Sequence, residues 1–439
     1  MADAPPIPDL THVPAMPRLP GLGNTPQILT DPYHFHSAAR ARLGPVYRFN
    51  FLGRDGICLH GPDALGEVLL NREGRFSNAL GWQLVEPLFG GGLLLRDGAE
   101  HREHRRLLTP AFRAEVMRHA LGRIAAHMER GIADWPVGRP FRFFDAVRQL
   151  TRAIAADVFM GIAEPHEADR LGRAFLAMLD ASAAPIRRPL PFTAMRRGQR
   201  ARDELRRAFA ALVEARRAGD GRDIFSELCR LTAEDGAPLD RDVLVDHFVF
   251  FLFAAFDTTT STLSAMVDRL AQHPEWQEAM AAEIAELHGE ITPEALETLE
   301  VTGRVLKESL RLMPPVPFIP RGLARETEIG GHRLPPGTPM TVCPGLVMLD
   351  PDIWSAPERF DPDRFRDDRA EDRAHPQAWA PFGGGAHKCL GMNFAVMEAK
   401  AFFACFLPRF RIAPRPPARW RRLPIPRPVD GLRITLRAA

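Results

Sequence analysis

The most informative ten residues of the chain are Phe382-Gly383-Gly384-Gly385-Ala386-His387-Lys388-Cys389-Leu390-Gly391. Three consecutive glycines cannot pack a core, and they allow a backbone loop to approach another group closely. An apolar helical pattern follows at 391–407, so Cys389 is predicted at a helix N-terminus. The positive end of the helix dipole lowers the pKa of a thiol there. Such a thiolate is a good ligand for a soft or borderline metal, and haem iron is one candidate.

The segment resembles the cysteine-ligand loop of the cytochrome P-450 family, F-x-x-G-x-[RH]-x-C-x-G. Five positions are in register with that motif: Phe382, Gly385, His387, Cys389 and Gly391. The resemblance implies a cofactor-binding loop that ends at Gly391, in which Cys389 is the axial thiolate of heme b (iron protoporphyrin IX). It also implies that Phe382 packs beside the sulfur and that His387 hydrogen-bonds a haem propionate, where arginine is more usual. The alternative is a glycine-rich turn with an incidental cysteine.

A second motif pairs Glu308 with Arg311 on one helix face, a spacing that most often gives a solvent-exposed ion pair. The surrounding helix resembles the E-x-x-R helix of the same family, and Pro362-Asp363-Arg364-Phe365 resembles its P-E-R-F element. The resemblance implies a buried structural cluster of Glu308, Arg311 and Arg364, which is tolerable only if fully paired. Pro357-Glu358-Arg359-Phe360 spells the motif too, but Arg364 has the better spacing to the cysteine loop.

His101 and Arg105 lie four residues apart, on one face of a predicted helix. Taken alone, they are typical of a solvated basic helix face. In the family context they resemble the H-x-x-x-R pair that binds haem propionates, and Arg321 matches a third propionate-binding position. Together with His387, the resemblance implies four polar or cationic groups for two carboxylates.

The longest helical pattern covers 242–270, and its middle reads Ala254-Ala255-Phe256-Asp257-Thr258-Thr259-Thr260-Ser261-Thr262. Five hydroxyl residues are poor helix interior, and one interpretation is that Asp257 or Thr258 begins a new helix as a cap. Alternatively, the Thr258 hydroxyl bonds the Ala254 carbonyl and opens the helix locally. The run resembles the family's [AG]-G-x-[DE]-T signature, with Ala255 in place of the usual glycine. The resemblance implies that Asp257 and Thr258 form the acid–alcohol pair that relays protons during oxygen activation.

Apolar residues on this helix and on two later segments are predicted to line a substrate pocket. By resemblance, its lining comprises Phe250, Phe253, Ala254, Val316, Phe318 and Ile425. Aromatic stripes are also common in plain cores, but a pocket of this character favours an apolar small molecule.

The bulk composition is that of a globular protein: 45% of the 439 residues are hydrophobic and 26% charged. The net charge of +2 gives no reason to expect nucleic acid as a partner. The five cysteines form no C-x-x-C pair, so the spacing indicates neither a zinc site nor a disulfide framework. We expect a cytoplasmic protein without a transmembrane anchor, because the N-terminus is proline-rich and lacks an apolar run.

A single mainly α domain over 1–439 is expected, with a large helical lobe and a small β-rich lobe. Residues 1–32 are predicted as an extended proline-rich lead-in, 46–52 and 57–60 as a strand pair, and 78–98 as a long mobile loop. The segment 181–196, with Pro185, Pro189 and Pro191, is predicted to form a lid over the pocket. Short strands are predicted at 327–334, 339–343 and 432–436.

The family resemblance implies a haem-thiolate monooxygenase that oxidises an apolar small molecule with O2. Electrons would come from NAD(P)H through a separate ferredoxin-type or flavodoxin-type donor, since no flavin or iron–sulfur module is recognised in the chain. A monomer is expected. Two other functions stay open: a haem-thiolate peroxygenase or isomerase that needs no electron supply, and a non-enzymatic haem-binding sensor or carrier.

Overall fold

A computed structural model of the chain describes residues 9–162, 164–182, 184, 186–233 and 236–439. Within this part of the chain, helices hold about 53% of the residues. The helices are α1 (Thr25–Thr30), α2 (Pro32–Leu43), α3 (Pro62–Leu70), α4 (Asn78–Gly81), α5 (Glu86–Phe89), α6 (Gly98–Leu108), α7 (Ala114–Ile132), α8 (Phe143–Ile154), α9 (Pro165–Ser182), α10 (Ala194–Ala218), α11 (Ile224–Cys229), α12 (Arg241–Leu270), α13 (Pro274–Ala285), α14 (Pro293–Glu297), α15 (Glu300–Leu312), α16 (Pro344–Val347) and α17 (Met392–Phe406).

The strands are shorter and lie mostly towards the two ends of the chain. They are β1 (Val46–Phe51), β2 (Arg54–Leu59), β3 (Phe76–Ser77), β4 (Pro140–Arg142), β5 (Ile319–Leu323), β6 (Thr327–Ile329), β7 (His332–Leu334), β8 (Pro339–Val342), β9 (Phe410–Ile412), β10 (Trp420–Arg421), β11 (Arg427–Pro428) and β12 (Arg433–Ala438).

The largest sheet has the order β1-β2-β8-β5-β3, with a parallel pair at β2–β8 and antiparallel pairs elsewhere. It carries its own apolar core, which includes Ile57, Leu59 and Val342. A much larger apolar core joins α7, α8, α10, α12 and α17. The fold therefore has the predicted large helical part and smaller strand-rich part.

Helix α12 runs through the larger core without interruption. Asp240 begins it, because its carboxylate accepts hydrogen bonds from the amides of Asp242 and Val243. The reading in which Asp257 or Thr258 caps a new helix is therefore wrong. Of the described helices, α12 alone is long and apolar enough to cross a membrane, and more than half of its apolar stretch is buried inside the protein.

The proline-rich lead-in is shorter than predicted. Residues 1–8 lie outside the described part, and Thr25–Thr30 already form α1. Pro26 and Pro32 stand in the first turns of α1 and α2. Proline is well suited to a helix start, since its fixed φ is helical and its missing N–H has no partner there anyway. These prolines therefore begin helices instead of preventing them.

The loop predicted at 78–98 contains α4, α5 and a 3-10 turn at Leu93–Leu95. Asp97, at the end of this segment, binds its beginning: the Asp97 carboxylate accepts hydrogen bonds from the Ser77 hydroxyl at 2.5 Å and the Asn78 backbone amide at 2.8 Å.

The first hairpin also differs from the prediction. Residues 54–56 belong to β2, and the turn is Leu52–Gly53, both with positive φ, as a two-residue hairpin turn requires.

The remaining predictions concern the lid and the later strands. In the segment 181–196, Pro185 lies outside the described residues, while the ring of Phe192 is 96% exposed. The strand predicted at 327–334 is the hairpin β6–β7 around Gly330 and Gly331. The strands predicted at 339–343 and 432–436 correspond to β8 and β12.

Candidate haem site

The cysteine loop is held against the end of α3. Gly385 has a φ of +60°, and a Cβ added there would lie 2.0 Å from the carbonyl oxygen of Leu69. No residue with a side chain fits so close to a backbone oxygen, so this position requires glycine. The loop then turns into α17, and the amide of Cys389 donates a hydrogen bond to the carbonyl of Phe382 at 2.9 Å.

Cys389 stands three residues before α17 and is the one exposed cysteine of the five. The Gly391 amide donates a hydrogen bond to its sulfur and, with the charge of Arg105, lowers the pKa of the thiol. Desolvation by the surrounding protein outweighs both, so the pKa of Cys389 is raised. The backbone N–H at the helix start thus lowers the pKa as predicted but does not outweigh desolvation, and a bound cation such as haem iron is what would favour the thiolate.

Four predicted propionate-binding residues meet beside this loop. The rings of His101 and His387 lie with centroids 3.7 Å apart. Arg105 is one turn further along α6, close enough for its charge to act on Cys389. Arg321 comes from β5, and its charge acts on His387.

The two arginines of this set supply positive charge but have few acidic partners. Arg321 is 5% exposed, and the one hydrogen bond that its guanidinium makes within the described structure goes to the carbonyl of Pro320. Burial lowers the pKa of Arg321 to about 10, and the nearest acid acting on it is Asp97. Within the same described residues, neither Arg105 nor Arg321 is ion-paired with a carboxylate. A buried guanidinium without a carboxylate is costly, so a dianionic ligand such as haem fits this set.

Burial lowers the pKa of His101 to about 4 and that of His387 to about 3. Both rings are therefore neutral at pH 7, when each can donate one hydrogen bond. The Nδ1 atom of His387 lies 2.7 Å from the side-chain amide of Asn78. This amide donates, so His387 carries its proton on Nε2. Nε2 lies 3.7 Å from the carboxylate of Asp97, beyond hydrogen-bond distance, and its N–H can donate to an acceptor such as a propionate.

The structure brings Glu308, Arg311 and Arg364 together, and all three are fully buried. Glu308 accepts from Nε of Arg311 at 2.7 Å and from Nε of Arg364 at 3.1 Å. Arg364 also pairs with Glu371 at 2.7 Å, so two carboxylates balance two guanidinium groups. Arg359 contributes only its backbone carbonyl to the cluster. Of the two P-E-R-F segments, the one with Arg364 supplies the buried cation.

A short series of contacts joins this cluster to the cysteine loop. The indole N–H of Trp379 donates to the carbonyl of Lys307, the neighbour of Glu308. The Trp379 ring packs edge-on against Phe382, with centroids 6.0 Å apart. Phe382 in turn accepts the hydrogen bond from the Cys389 amide.

In the middle of α12, the Thr258 hydroxyl donates to the Ala254 carbonyl at 2.7 Å. The helix continues unbroken through this point, so the bond does not interrupt it. The Asp257 carboxylate lies 3.5 Å from Nε of Arg148 on α8. Burial raises the pKa of Asp257, and the charge of Arg148 opposes that rise.

Three predicted pocket residues on α12 are accessible to solvent, although most of this helix is buried. Ala254 is exposed in the centre of this core helix, and Phe250 and Phe253 beside it are partly exposed. The segment 78–98 packs against these residues, and the ring centroids of Phe89 and Phe253 lie 4.1 Å apart. A Cβ at Gly92 would approach the Cβ of Phe250 to 2.7 Å, so the close approach requires glycine there.

The other pocket residues come from later segments. Val316 and Ile425 are partly exposed. Phe318 is also partly exposed, but its ring packs against Tyr33 and His36, with centroids 5.8 and 5.1 Å apart. The structure thus joins Phe318 to the strand-rich part of the fold.

Sequence reasoning did not identify three residues of this region: Asn78, Arg148 and Glu398. Asn78 fixes the ring of His387, and Arg148 is the partner of Asp257. Glu398 on α17 is buried and accepts a hydrogen bond from the Thr259 hydroxyl at 3.2 Å. Burial raises its pKa to about 7. Each acts across a long sequence separation, so no local motif marks it.

A family model described as Cytochrome P450 matches residues 13–423. A putative cytochrome P450 136 of Mycobacterium tuberculosis is 36% identical, over 100% of this chain and 91% of its own length. The cyclooctat-9-en-7-ol 5-monooxygenase of Streptomyces melanosporofaciens is 32% identical, over 94% and 92%. The sterol 14alpha-demethylase of Mycobacterium tuberculosis is 28% identical, over 93% and 94%.

Among solved structures, the retinoic acid-bound cyanobacterial CYP120A1 superposes with a TM-score of 0.86. Its sequence is 28% identical, and the match covers 97% of this chain and 99% of that one. A second structure, the heme domain of cytochrome P450DA, gives the same TM-score at 23% identity and supports the fold alone. The predicted mainly α fold is confirmed.

Proposed function

Because the chain belongs to the cytochrome P450 family and is a monooxygenase, we propose that it oxidises a large apolar molecule with electrons from a separate redox protein. The observation that carries the site assignment is the convergence of accessible Cys389 with Arg105 and Arg321, two cations that pair with no carboxylate in the described part of the chain. Haem held by a thiolate supplies the oxygen chemistry when bound. Cys389 is its iron ligand, and His101, Arg105, Arg321 and His387 bind its propionates.

The protein's own contribution to catalysis is proton delivery and substrate positioning. Monooxygenation consumes two protons, and a buried site holds few waters. The Thr258 hydroxyl on the accessible face of α12 donates a proton locally, and Asp257, held by Arg148, supplies it from the other side. Phe250, Phe253 and Ala254 present apolar surface to the substrate and exclude water from its reacting end.

The size of the substrate is inferred from the relatives. The names of two relatives refer to cyclooctat-9-en-7-ol and a sterol, and the similar solved structure holds retinoic acid. Sterols and retinoic acid are large hydrocarbon skeletons that carry one polar group. Exposed Ala254 leaves room beside Thr258 for such a skeleton, while the rings of Phe250 and Phe253 provide contacts along it.

The electron donor is an acidic protein of the ferredoxin or flavodoxin type. The His101–His387 contact brings α6 beside the cysteine loop, so exposed Arg102 and Lys388 lie on the same side of the site. Complementary charge speeds association and weakens with salt. Lys400 is a poorer candidate for this surface, because its ammonium is half-buried and donates to the Leu296 carbonyl at 2.8 Å.

Turnover with a surrogate reductase tests the proposal. Haem-loaded protein, NADPH and a ferredoxin system are combined with ligands that first shift the spin state of the haem band, drawn from a sterol, a retinoid and a fatty acid. We expect NADPH-dependent hydroxylation of at least one large ligand. Activity with peroxide alone, or isomerisation without electrons, would favour the peroxygenase or isomerase. Ligand binding without any turnover would favour the sensor or carrier.

A further inference from the structure

Three metal-ligating side chains meet in the core of the strand-rich lobe, outside the group of residues assigned to haem. His36 comes from α2, Cys58 from β2, and Cys343 from the residue that follows β8. One ligand atom of each lies within 4.8 Å of the others. The two sulfurs are 3.5 Å apart, and none of the three residues is more than 2% exposed.

We propose that His36, Cys58 and Cys343 bind a structural zinc ion, with His60 as the fourth ligand. Zinc prefers four tetrahedral nitrogen and sulfur ligands, and Cys2His2 is one of its usual sets. Two thiolates bound tetrahedrally at about 2.3 Å lie about 3.8 Å apart. The observed sulfur separation is close to that value and far from the ~2.05 Å of a disulfide.

The hydrogen bonds of His36 leave the ring in a form that can bind a metal. The Tyr47 hydroxyl donates to the His36 carbonyl at 3.2 Å. The same hydroxyl lies 2.8 Å from Nδ1 of His36, so it accepts a hydrogen bond from the Nδ1–H. The other ring nitrogen, Nε2, is then unprotonated. Metal-binding histidines usually have one N–H fixed in this way by a neighbouring residue.

His60 lies on the same side of the strand as Cys58, because side chains alternate along a strand with a period of two. Ile57 and Leu59, the residues on either side of Cys58, point the opposite way, into the apolar core of the large sheet. His60 is 6% exposed, and both its ring nitrogens are buried without a hydrogen-bond partner in the described structure. Leaving such a group unpaired in the core is unfavourable, and a bound ion would give one of the two nitrogens a partner. The His60 nitrogens lie outside the 4.8 Å group, so binding of the ion as a fourth ligand would require the His60 ring to turn inward.

The charges of this site balance when zinc is bound. Each cysteine loses its thiol proton to solvent, and the two thiolates neutralise Zn²⁺, while both histidines stay neutral. A neutral site is compatible with its surroundings, which include buried Tyr33, Ala39 and Leu346. The ion would join segments 285 positions apart in the chain. This separation explains why cysteine spacing gave no indication of a zinc site.

Elemental analysis of the full-length, haem-loaded protein tests the proposal. After exhaustive dialysis against a chelating resin, zinc is measured against haem iron as an internal standard. We expect one zinc per iron in the wild type, and a loss of at least tenfold in Cys58→Ser and His36→Gln. The matched control is Cys229→Ser, since Cys229 is equally buried but is not among the three grouped ligands; its zinc content should stay at one.

A second measurement on the wild type decides the matter even if the variants do not fold. The dialysed protein is denatured without reductant, and released zinc and free thiols are counted. One zinc and five thiols support the site. Five thiols without zinc would mean that Cys58 and Cys343 are merely adjacent thiols, and a Cys58–Cys343 disulfide peptide would mean a redox pair; either result overturns the proposal. Zinc that persists equally in Cys58→Ser would place it elsewhere and overturn the proposal too.

Discussion

The rings of His101 and His387 lie against each other, with centroids 3.7 Å apart and planes inclined by 32°. One ring belongs to α6 and the other to the cysteine loop, so this contact joins the two segments that would hold the haem propionates. Both rings are neutral at pH 7, because burial lowers their pKa values to about 4 and about 3. Two charged imidazoles could not lie so close without repulsion.

Substituting either histidine should weaken haem retention. Each ring is placed to donate a hydrogen bond to a charged propionate, a contact worth about 1.5–3 kcal/mol. We therefore expect haem transfer to apomyoglobin to be about 10–100 times faster in His101→Ala and in His387→Ala. Because the two rings are in contact, the loss of haem-binding free energy in the double variant should be smaller than the sum of the losses in the two single variants. The control is His119→Ala, an exposed histidine on α7. Equal transfer rates in all proteins would remove these residues from the propionate site.

Cys389→Ser should eliminate the thiolate signature of the haem. The reduced, carbon monoxide-bound wild type should show the strongly red-shifted band, whereas the serine variant should lack it. Cys405→Ala is a suitable control, since Cys405 is a buried cysteine on α17, the helix that follows the cysteine loop. If the serine variant keeps the red-shifted band, another residue binds the iron.

Thr258→Ala should uncouple electron consumption from product formation. Its hydroxyl bonds only the Ala254 carbonyl of its own helix, so α12 and haem binding should survive the change. Less product and more peroxide should form per NAD(P)H consumed. The control is Thr262→Ala, one turn further along α12, whose hydroxyl makes the same kind of bond to the Thr258 carbonyl. Coupling that falls equally in both variants would indicate a general helix effect.

Asp257→Asn should slow turnover more than it uncouples it. The change removes the acid but keeps the shape, and loss of a positioned acid costs on the order of 10²-fold in rate. The pH–rate profile should also lose the limb that belongs to this carboxyl. Arg148→Gln, which removes the partner at 3.5 Å, should raise the apparent pKa of that limb. An unchanged rate and profile in Asp257→Asn would reduce this residue to a structural role.

Glu398 should make stability depend on pH between about 4.5 and about 7. Burial raises its pKa from 4.5 to about 7, so the folded protein holds this proton more tightly than the unfolded chain does. The contribution of Glu398 to the free energy of unfolding is therefore fully present below pH 4.5, and it is lost as the pH rises through 7. Relative to the wild type, Glu398→Gln should therefore gain up to about 3 kcal/mol of unfolding free energy across that interval. Denaturant unfolding at several pH values measures it. A difference that stays constant with pH would show that Glu398 is ionised throughout.

Glu308→Ala should destabilise the protein by about 3–5 kcal/mol, because it leaves Arg311 and Arg364 buried without the carboxylate between them. Guanidinium unfolding of the haem-loaded protein measures the loss. Glu278→Ala is the matched control, since this exposed carboxylate also pairs with an arginine, Arg411, and should change stability by less than about 1 kcal/mol. A small effect at Glu308 would mean that water or another group enters the cluster.

Local patterns predicted much of this site because its motifs lie within single elements. The bond from Thr258 to Ala254 spans one helical turn, and Glu308 and Arg311 lie on one face of α15. Contacts between distant segments were not predictable in the same way. Arg148 meets Asp257 across two helices, and Asn78 lies in a segment that the sequence presented as a loop.

Glycine was a reliable guide to local structure in this chain, whereas proline was not. Gly385 correctly marked a close backbone approach, whose partner, Leu69, only the structure identifies. Pro26 and Pro32 were interpreted as signs of extended chain but stand in first helical turns, where proline is equally favourable. Composition alone does not distinguish these two uses.

The contact between Asn78 and His387 joins positions 309 residues apart, which has a consequence for the order of events during synthesis on the ribosome. A nascent chain that has emerged up to α15 already contains His101 and Arg105 but has neither the ring that packs on His101 nor the sulfur ligand. Haem capture is therefore a late event, completed only after synthesis has passed Cys389, which lies in the last fifth of the polypeptide. Truncated translation products should retain no haem, and a shortage of haem should leave a full-length polypeptide whose α6 and cysteine loop lack their common ligand.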